Sequence, residues 1–241
     1  RNASAEIKEE RVAGTYSLGI DIGGTFTDIV AYNQATGQIV KAKELTTPDD
    51  PSRGVIIGIR NLLGADEAGA EDFSRMVHAT TLFTNAIITR EGAKTGMLTT
   101  AGFRDAVEIG RERKFELYDV FISKPEPLVP RNLRAEVPER IGPDGEVLTP
   151  IDLDALRREV DGLVAQGVES LAVVFLHCYA NAAHEDAAIE AITAEHPDLF
   201  ISASHDVSPE IREYERGSTT SANAYVKPLA QRYLDLSLIH I

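Results

Sequence analysis

A chain of 241 residues, of which 43% are hydrophobic, is long enough to bury a core and to form one large domain or one and a half ordinary ones. Its formal net charge of -14 at pH 7 disfavours nucleic acid as a partner, because nucleic-acid binding needs clustered lysine and arginine. Its single cysteine, Cys178, excludes an intrachain disulfide and a zinc site built from cysteines.

The stretch GIDIGGTFTDIV, residues 19–30, predicts two short strands joined by a tight turn. Apolar residues alternate on both sides of Gly23 and Gly24, and a hairpin needs residues there that tolerate positive φ. Such a turn leaves backbone N–H groups unpaired on its inner side, and the hydroxyls of Thr25 and Thr27 add donors. The corner therefore predicts a phosphate site, although an ordinary hairpin would use similar residues.

Asp21 lies just before this turn, where its carboxylate could hold Mg²⁺ directly or through water.

The residues around Gly23 and Gly24 also exclude two familiar nucleotide-binding folds. A P-loop needs G-x-x-x-x-G-K-[ST] and a dinucleotide fold needs G-x-G-x-x-G, each opening a helix, whereas the residues after these glycines alternate as a strand. A phosphate hairpin between two strands is instead similar to the actin, hexokinase and acetate-kinase group of ATPases.

Strands and helices are predicted to alternate along the first half of the chain. In order they are a strand over 38–45 after a turn at 35–37, a helix over 51–64, a loop over 65–72, a short strand at 76–77, a helix capped by Thr81 that reaches Gly92, a strand over 94–100 and a short helix that ends near Gly110. Together they indicate an α/β fold with a mixed sheet.

The second half begins with an extended segment that contains prolines 125, 127 and 130. The later elements are two short strands, EVPERI and GEVL, around a turn at 142–145, a helix capped by Asp152, the buried strand SLAVVFL, a helix over 182–196 capped by Asn181, a strand over 199–202 and a helix opened by Ser208 and Pro209. Pro228 is expected to kink this last helix or to begin a new one. Cys178 is expected to be a packing residue, because adjacent His177 would face the other way on a strand.

Three motifs in a fixed order carry a resemblance to a known family. They are GIDIGGTFTDIV (19–30), HATTLFTNAIITREGAKTGMLTTAGFRD (78–105) and EIREYERGSTTSANAYVKP (210–228). They resemble the N-terminal part of the hydantoinase A, 5-oxoprolinase and acetone carboxylase β-subunit family, with most similarity to hydantoinase A of the N-methylhydantoinase type. The resemblance runs from Tyr16 to about Leu236 and implies an actin-like ATPase (ribonuclease H-like) fold with a β-hairpin phosphate site.

The resemblance also supplies candidate site residues. It implies that a cleft binds substrate through Thr80, Thr81, Asn85, Arg111 and Tyr118. By residue type, the candidates for the general base are Asp28, His78 and Glu213. The family's usual His-Gly-Thr-Thr reads His-Ala-Thr-Thr here, so Ala79 narrows the approach to a ligand. Glu213, Tyr214 and Arg216 match a family motif, and salt-bridged surface residues are the alternative explanation.

The resemblance implies ATP-dependent hydrolysis of a cyclic amide of the hydantoin or 5-oxoproline type, with ATP and Mg²⁺ as cofactors. Phosphorylation of the carbonyl oxygen would give an imidate phosphate that water attacks at carbon, and the hairpin would position the phosphates. Two alternatives remain. One is a β-type subunit of an ATP-dependent carboxylase for acetone-like ketones, and the other is a non-catalytic actin-like module in which nucleotide controls partner binding.

Domain organisation and partners follow from the same resemblance. We expect a disordered tail (1–15), a hydantoinase/oxoprolinase N-terminal domain (16–203) and the truncated start of the hydantoinase A domain (204–241), which makes the chain an N-terminal fragment. A hydantoinase B-like partner subunit or a homo-oligomer is implied. No apolar run approaches the about 18 residues of a membrane helix, and the first fifteen residues lack the apolar centre of a signal peptide, so we expect a cytoplasmic protein.

Overall fold

The structure is a computed structural model that describes residues 15–47, 51–63, 73–111, 116 and 118–239. The predicted tail before Thr15 and the predicted loop at 65–72 lie outside the described residues. The chain divides into two compact units. Among the described residues, the first unit holds those up to Thr89 and those from Ala230 to Ile239, and the second unit holds those between Arg90 and Leu229. The predicted domain boundary between residues 203 and 204 stays a prediction.

The first unit is built on a four-stranded mixed sheet in the order β3-β2-β1-β4. Its elements are β1 (Tyr16–Ile22), β2 (Phe26–Asn33), β3 (Ile39–Leu45), α1 (Pro51–Leu63), β4 (Phe73–Thr80) and α2 (Leu82–Thr89). Strands β1, β2 and β3 form an antiparallel meander, whereas β4 runs parallel to β1. The mixed sheet confirms the predicted α/β class.

One face of this sheet forms the core of the first unit. Alternate residues of β1 and β2 are buried with the apolar side of α1, as the two-residue period of a strand requires; they are Leu18, Ile20, Ile22, Ile29, Ala31, Val55 and Ile59. A Cβ at Gly58 of α1 would lie 2.1 Å from the Ile29 Cδ1 atom, so glycine lets this helix lie close to the sheet. The opposite face of the sheet carries Asp21 and Asp28, which are both exposed.

The second unit is built on a four-stranded parallel sheet in the order β10-β9-β5-β6. Its elements are β5 (Thr95–Thr100), α3 (Ala106–Ile109), β6 (Arg134–Val137), β7 (Arg140–Ile141), β8 (Val147–Thr149), α4 (Leu153–Ala165), β9 (Ser170–Val174), α5 (Ala183–Glu195), β10 (Phe200–Ala203), α6 (Ser204–Val207) and α7 (Glu213–Ile239). Every residue of β5 and β9 is buried, as expected for parallel strands covered on both faces.

Several predicted boundaries in the second unit are confirmed and others are wrong. Asp152 caps α4 as predicted, because its carboxylate accepts the N–H of Ala155 at 2.8 Å. The segment EVPERI is two strands and not one: β6 joins the main sheet, and β7 pairs with β8. Pro138 separates them, because it lacks the N–H that a continuous ladder needs.

Helix α7 begins at Glu213, whereas the sequence predicted a start at Ser208 and Pro209. The Glu210 carbonyl accepts a hydrogen bond from the Arg216 guanidinium at 2.6 Å, and the Glu210 N–H donates to the Ser208 carbonyl at 2.7 Å. These contacts hold the segment before Glu213 outside the helix.

Helix α7 then continues through Pro228, so a new helix does not begin there. Helix α2 ends at Thr89 and not at Gly92, and Arg90 follows with a left-handed φ of 61°.

None of the described helices combines the length and the apolar character that crossing a bilayer requires.

Candidate functional site

The turn between β1 and β2 is a tight hairpin with an exposed tip. The Gly23 N–H donates to the Phe26 carbonyl at 2.9 Å, which leaves Gly24 and Thr25 at the tip. Thr46 fixes the hairpin from the side, because its hydroxyl donates to the Gly23 carbonyl and its N–H donates to the Thr25 carbonyl, both at 2.9 Å. Within the described parts of the chain, the N–H groups of Gly24 and Thr25 have no acceptor. They are available to a ligand.

The two glycines lie close to neighbouring atoms, which was not the predicted reason for them. Neither Gly23 nor Gly24 has a φ between +20° and +160°, so the expectation of positive φ is wrong. A Cβ at Gly23 would lie 3.1 Å from the Phe26 carbonyl oxygen, and a Cβ at Gly24 would lie 3.1 Å from the Asn85 Nδ2 atom. A side chain at Gly23 would crowd the backbone of Phe26, whereas one at Gly24 would crowd only the movable Asn85 amide, so glycine is favoured more strongly at Gly23.

The two predicted hydroxyl donors of the hairpin lie in different surroundings. Thr25 is exposed at the tip. Thr27 is fully buried, and its hydroxyl lies 3.1 Å from the Thr46 hydroxyl. The Thr27 hydroxyl therefore bonds β2 to the segment that follows β3. Thr25 is the residue of the two whose side chain is exposed to solvent.

Asp21 and Asp28 lie directly opposite each other on β1 and β2. Lys43 of β3 neutralises Asp28, with its ammonium 3.0 and 2.9 Å from the two carboxylate oxygens. The exposed Asp21 carboxylate makes no hydrogen bond or ion pair with the residues that the structure describes. Lys43 offsets the charge of Asp28, so Asp21 is the member of this pair that is left without a cation among the described residues.

The donor set at Asp21 suits Mg²⁺ bound together with phosphates. Mg²⁺ is usually held by one or two carboxylates, with phosphate oxygens and waters completing its coordination. The described ranges contain no group of three or more histidine, cysteine, aspartate or glutamate side chains that could hold a metal by themselves. A Mg²⁺ ion at Asp21 would therefore take most of its ligands from phosphate and water.

The end of β4 and the start of α2 form hydrogen bonds with the end of β1, next to the hairpin turn. The Thr80 hydroxyl donates to the Ile22 carbonyl and accepts from the Leu82 N–H, both at 3.0 Å. The Thr81 N–H donates to the same Ile22 carbonyl at 3.2 Å. The hydroxyl contact at the start of α2 therefore comes from Thr80, although the sequence predicted Thr81 as the capping residue. Thr80 and Thr81 thus contact the end of β1, and the Asn85 side chain lies beside Gly24, while the cleft itself stays a prediction.

His78 lies on the other face of the same sheet. It pairs with Ile20, whose side chain is in the core, whereas Asp21 pairs with Ala79 on the exposed face. The His78 Nδ1 atom lies 2.9 Å from the Tyr233 hydroxyl, and burial lowers the pKa of the imidazole. The sheet therefore separates two of the predicted site residues, His78 and Asp21.

The remaining predicted site residues lie in the second unit. Arg111 forms an ion pair with Glu215, and Arg111 and Glu213 line one cavity of about 320 Å³ together with Arg212 and Tyr214. The Tyr118 side chain is 87% exposed and does not line this cavity. The structure thus brings Arg111 and Glu213 together and leaves Tyr118 apart from them.

A buried polar network in the second unit was not predicted from the sequence. The fully buried Glu185 carboxylate accepts from the Phe175 N–H at 2.9 Å and from the Ser204 hydroxyl at 2.6 Å. The Arg216 guanidinium donates to the Ser204 hydroxyl at 3.1 Å and to the Phe175 carbonyl at 2.9 Å. Arg216 is 1% exposed, so the alternative of a surface salt bridge is wrong for this residue. Two features of the sequence could have indicated this network. They are the motif around Arg216 and the position of Glu185 near the start of a helix.

His205 gives this network a pH dependence. Hydrogen bonding to Glu185 raises the pKa of the imidazole above its usual 6.5, and the nearby Asp186 and Asp206 act in the same direction. The charged pair stabilises the fold fully below about pH 6.5, and the contribution is lost as pH rises through the folded-state pKa. We expect His205→Gln to reduce the free energy of unfolding more at pH 5.5 than at pH 9, as measured by urea denaturation.

The matched control for this pH experiment is His196→Gln. His196 lies near the surface and pairs with the exposed Asp161 at 2.9 Å, so its loss should change stability little at either pH. An equal loss at pH 5.5 and pH 9 for His205→Gln would contradict the assigned role of the imidazolium.

Cys178 is the packing residue that the sequence predicted. Its Sγ atom is buried 3.0 Å from the Ser204 hydroxyl, and burial raises the pKa of the thiol to about 12. We expect no reaction of the folded chain with an aromatic disulfide reagent at pH 8, because the thiolate is the nucleophile. One thiol should react after unfolding in guanidinium. Rapid labelling of the folded chain would contradict the buried, protonated state.

Comparison with known proteins decides the family. The profile of the hydantoinase/oxoprolinase N-terminal region matches residues 17–196. The chain belongs to the hydantoinase/oxoprolinase family. Among its relatives, the caprolactamase subunit alpha of Pseudomonas jessenii is 38% identical over 229 residues, which cover 91% of this chain and 32% of the relative. The 5-oxoprolinase 1 of Arabidopsis thaliana is 28% identical over 92% of this chain and 20% of its own length.

Two solved structures share the fold over nearly the full chain. The ATP-dependent caprolactamase of Pseudomonas jessenii matches with a TM-score of 0.80 and 36% identity, covering 91% of this chain and 33% of that chain. The nucleotide-free structure of acetone carboxylase matches with a TM-score of 0.81 and 26% identity, covering 95% and 34%. These matches confirm the actin-like ATPase type of fold. The chain spans about a third of the length of these caprolactamase and acetone carboxylase proteins.

Proposed function

We propose that this chain forms the phosphate-binding part of an ATP-dependent hydrolase of cyclic amides of the hydantoin, 5-oxoproline or lactam class. The observation that carries the proposal is the exposed hairpin tip, where the N–H groups of Gly24 and Thr25 have no acceptor among the described residues and the unpartnered Asp21 lies on the strand that leads into the turn. Backbone N–H groups of this kind bind phosphate oxygens. A caprolactamase described as ATP-dependent shares the fold and 36% of the aligned residues, which supports the reaction class.

The proposed chemistry overcomes the poor reactivity of an amide carbonyl. The carbonyl oxygen takes the γ-phosphoryl group of ATP, ADP leaves, and the ring nitrogen loses its proton to give an imidate phosphate. Water adds to the carbon, the C–N bond breaks as the nitrogen takes a proton, and a second water cleaves the resulting acyl phosphate to carboxylate and phosphate. Bound Mg²⁺ offsets phosphate charge, while the hairpin N–H groups and the Thr25 hydroxyl orient the phosphates.

The three candidates for the general base differ in their surroundings. Asp28 is paired with Lys43, and His78 lies on the sheet face opposite Asp21. Glu213 lines a cavity with Arg111, whose planar guanidinium suits a substrate carboxylate or a phosphate. We favour Glu213, because it is the candidate that shares a cavity with a cation able to hold a ligand.

We further propose that the full-length protein acts with a partner subunit or as a homo-oligomer. The relative from Pseudomonas jessenii is named a subunit alpha, which supports a second type of subunit. Size-exclusion chromatography with light scattering on the full-length protein, alone and with the candidate partner, distinguishes these assemblies.

Release of ADP by the full-length protein tests the proposed reaction. We expect caprolactam, hydantoin or 5-oxoproline to stimulate ADP release in the presence of Mg²⁺, with one ring-opened product for each ADP. Stimulation by acetone with bicarbonate, and by none of the amides, would instead assign the protein to the carboxylase branch. Tight binding of nucleotide without turnover would indicate a non-catalytic module.

A further inference from the structure

Helix α2 places one polar side chain beside the hairpin tip. Asn85 lies on this helix, and a Cβ atom added to Gly24 would be 3.1 Å from its Nδ2 atom. A single extra carbon on the glycine would therefore already crowd the amide. The Asn85 side chain thus lies directly beside the backbone whose N–H groups, at Gly24 and Thr25, have no acceptor among the described residues.

The side-chain amide of Asn85 is unpaired and accessible. Neither its nitrogen nor its oxygen forms a hydrogen bond with the residues that the structure describes. Asn85 is partly exposed, and its amide atoms are not among the buried polar atoms that lack a partner, so solvent reaches both of them. A ligand bound at the hairpin tip can therefore reach them as well.

The backbone that carries Asn85 is fixed to the end of β1. The Asn85 N–H donates to the Thr81 carbonyl at 2.9 Å, and the Thr81 N–H donates in turn to the Ile22 carbonyl at 3.2 Å. The next residue, Ala86, is buried, which fixes the rotation of the helix. Ligand binding at Asn85 does not require the helix to be ordered first, and such preorganisation favours affinity.

Stability alone does not explain an asparagine at this position. Asparagine has a lower helix propensity than alanine, and in the described structure its side chain gains no hydrogen bond that would offset this cost. Because no described residue holds the amide, its NH2 group is free to turn towards a ligand. A ligand that meets this NH2 group together with unpaired backbone N–H groups must accept several hydrogen bonds, as phosphate oxygens do.

We propose that the Asn85 amide is a third hydrogen-bond donor of the phosphate site, beside the Gly24 and Thr25 N–H groups. Its NH2 group donates to a phosphate oxygen of the bound nucleotide. The family resemblance implied a substrate contact for Asn85, whereas its position beside Gly24 favours the phosphate. This inference rests on the proposed function and adds to it a side chain that recognises the nucleotide.

Calorimetry of Mg-ATP with the full-length protein tests this role. We expect Asn85→Ala to weaken binding about tenfold or more, the effect of one lost hydrogen bond to a charged group. Asn85→Asp keeps the shape of the side chain but places a carboxylate beside the phosphates, and it should weaken binding about 100-fold or more. The matched controls are Asn132→Ala and Asn132→Asp, at an exposed asparagine of the second unit, which should bind like the wild type.

Three further readouts separate a phosphate contact from other roles. Because the amide carries no charge, a higher Mg²⁺ concentration should not restore the affinity of Asn85→Ala for nucleotide. The KM for the cyclic amide should be unchanged at saturating ATP. The melting temperature of the free variant should be unchanged or higher, because alanine favours a helix and no hydrogen bond within the protein is lost.

The opposite results would overturn the role of Asn85. They are wild-type affinity of Asn85→Ala for Mg-ATP, recovery of its affinity by added Mg²⁺, and a raised KM for the cyclic amide with unchanged affinity for nucleotide. A clear decrease in the melting temperature would show that the amide has a partner within the protein, and it would overturn the proposal as well.

The two proposals can fail separately. Wild-type affinity of Asn85→Ala for nucleotide, with intact amide-dependent ADP release, would leave the hydrolase function standing and reject the role of Asn85. Conversely, Mg-ATP binding that depends on Asn85, without ADP release in the presence of a cyclic amide, would keep the phosphate contact and reject the hydrolase function. Failure of the wild-type protein to bind Mg-ATP would reject both.

Discussion

Replacing Asp21 with asparagine should lower amide-dependent ADP release by the full-length protein about 100-fold or more. Asparagine keeps the size of the side chain and removes the negative charge of an exposed residue on the strand that leads into the hairpin turn. Loss of one group that stabilises charge in the transition state typically costs about 100- to 1,000-fold in rate. Because the lost charge weakens Mg²⁺ binding, raising the Mg²⁺ concentration should restore part of the rate. Steady-state kinetics over a range of Mg²⁺ concentrations measures both effects.

The matched control is Asp144→Asn. Asp144 is an exposed aspartate in the turn between β7 and β8, so the substitution makes the same chemical change away from the hairpin. We expect wild-type kinetics from it. If Asp21→Asn retains wild-type ADP release and an unchanged dependence on Mg²⁺, the phosphate role of the hairpin is wrong.

Replacing Arg216 with methionine should reduce the free energy of unfolding by about 3 kcal/mol or more, because hydrogen bonds that involve a charged group are worth about 1.5–3 kcal/mol each. The substitution removes the donor to the Ser204 hydroxyl and to the Glu210 carbonyl. It also leaves the Phe175 carbonyl without its donor. Denaturation in urea, followed by circular dichroism, measures this loss.

Arg212→Met is the control on the same part of the chain. The Arg212 side chain is 69% exposed and forms a longer surface pair of 3.7 Å with Glu215, which is worth about 0–1 kcal/mol. Arg216→Lys should be nearly as damaging as Arg216→Met, because a single ammonium cannot reach the separate acceptors that the guanidinium fork bridges. A stability loss below about 1 kcal/mol for Arg216→Met would contradict the network.

Local sequence pattern by itself determined much of the fold. The alternation of apolar residues around Gly23 and Gly24 predicted the hairpin, and the capped apolar pattern after Asp152 predicted α4 and the buried strand that follows it. These elements depend on residues close together in the chain, so their signal survives without any knowledge of the tertiary structure. The order of the three motifs likewise determined the family.

The tertiary structure decided which of the candidate site residues lie together. His78 faces away from Asp21 because of the register between β1 and β4, strands that are far apart in the sequence. Thr27 is buried because Thr46 lies beside it, and Arg216 is buried because Ser204 and Phe175 surround it. Local periodicity carries no information about such long-range contacts, so only the folded chain could show them.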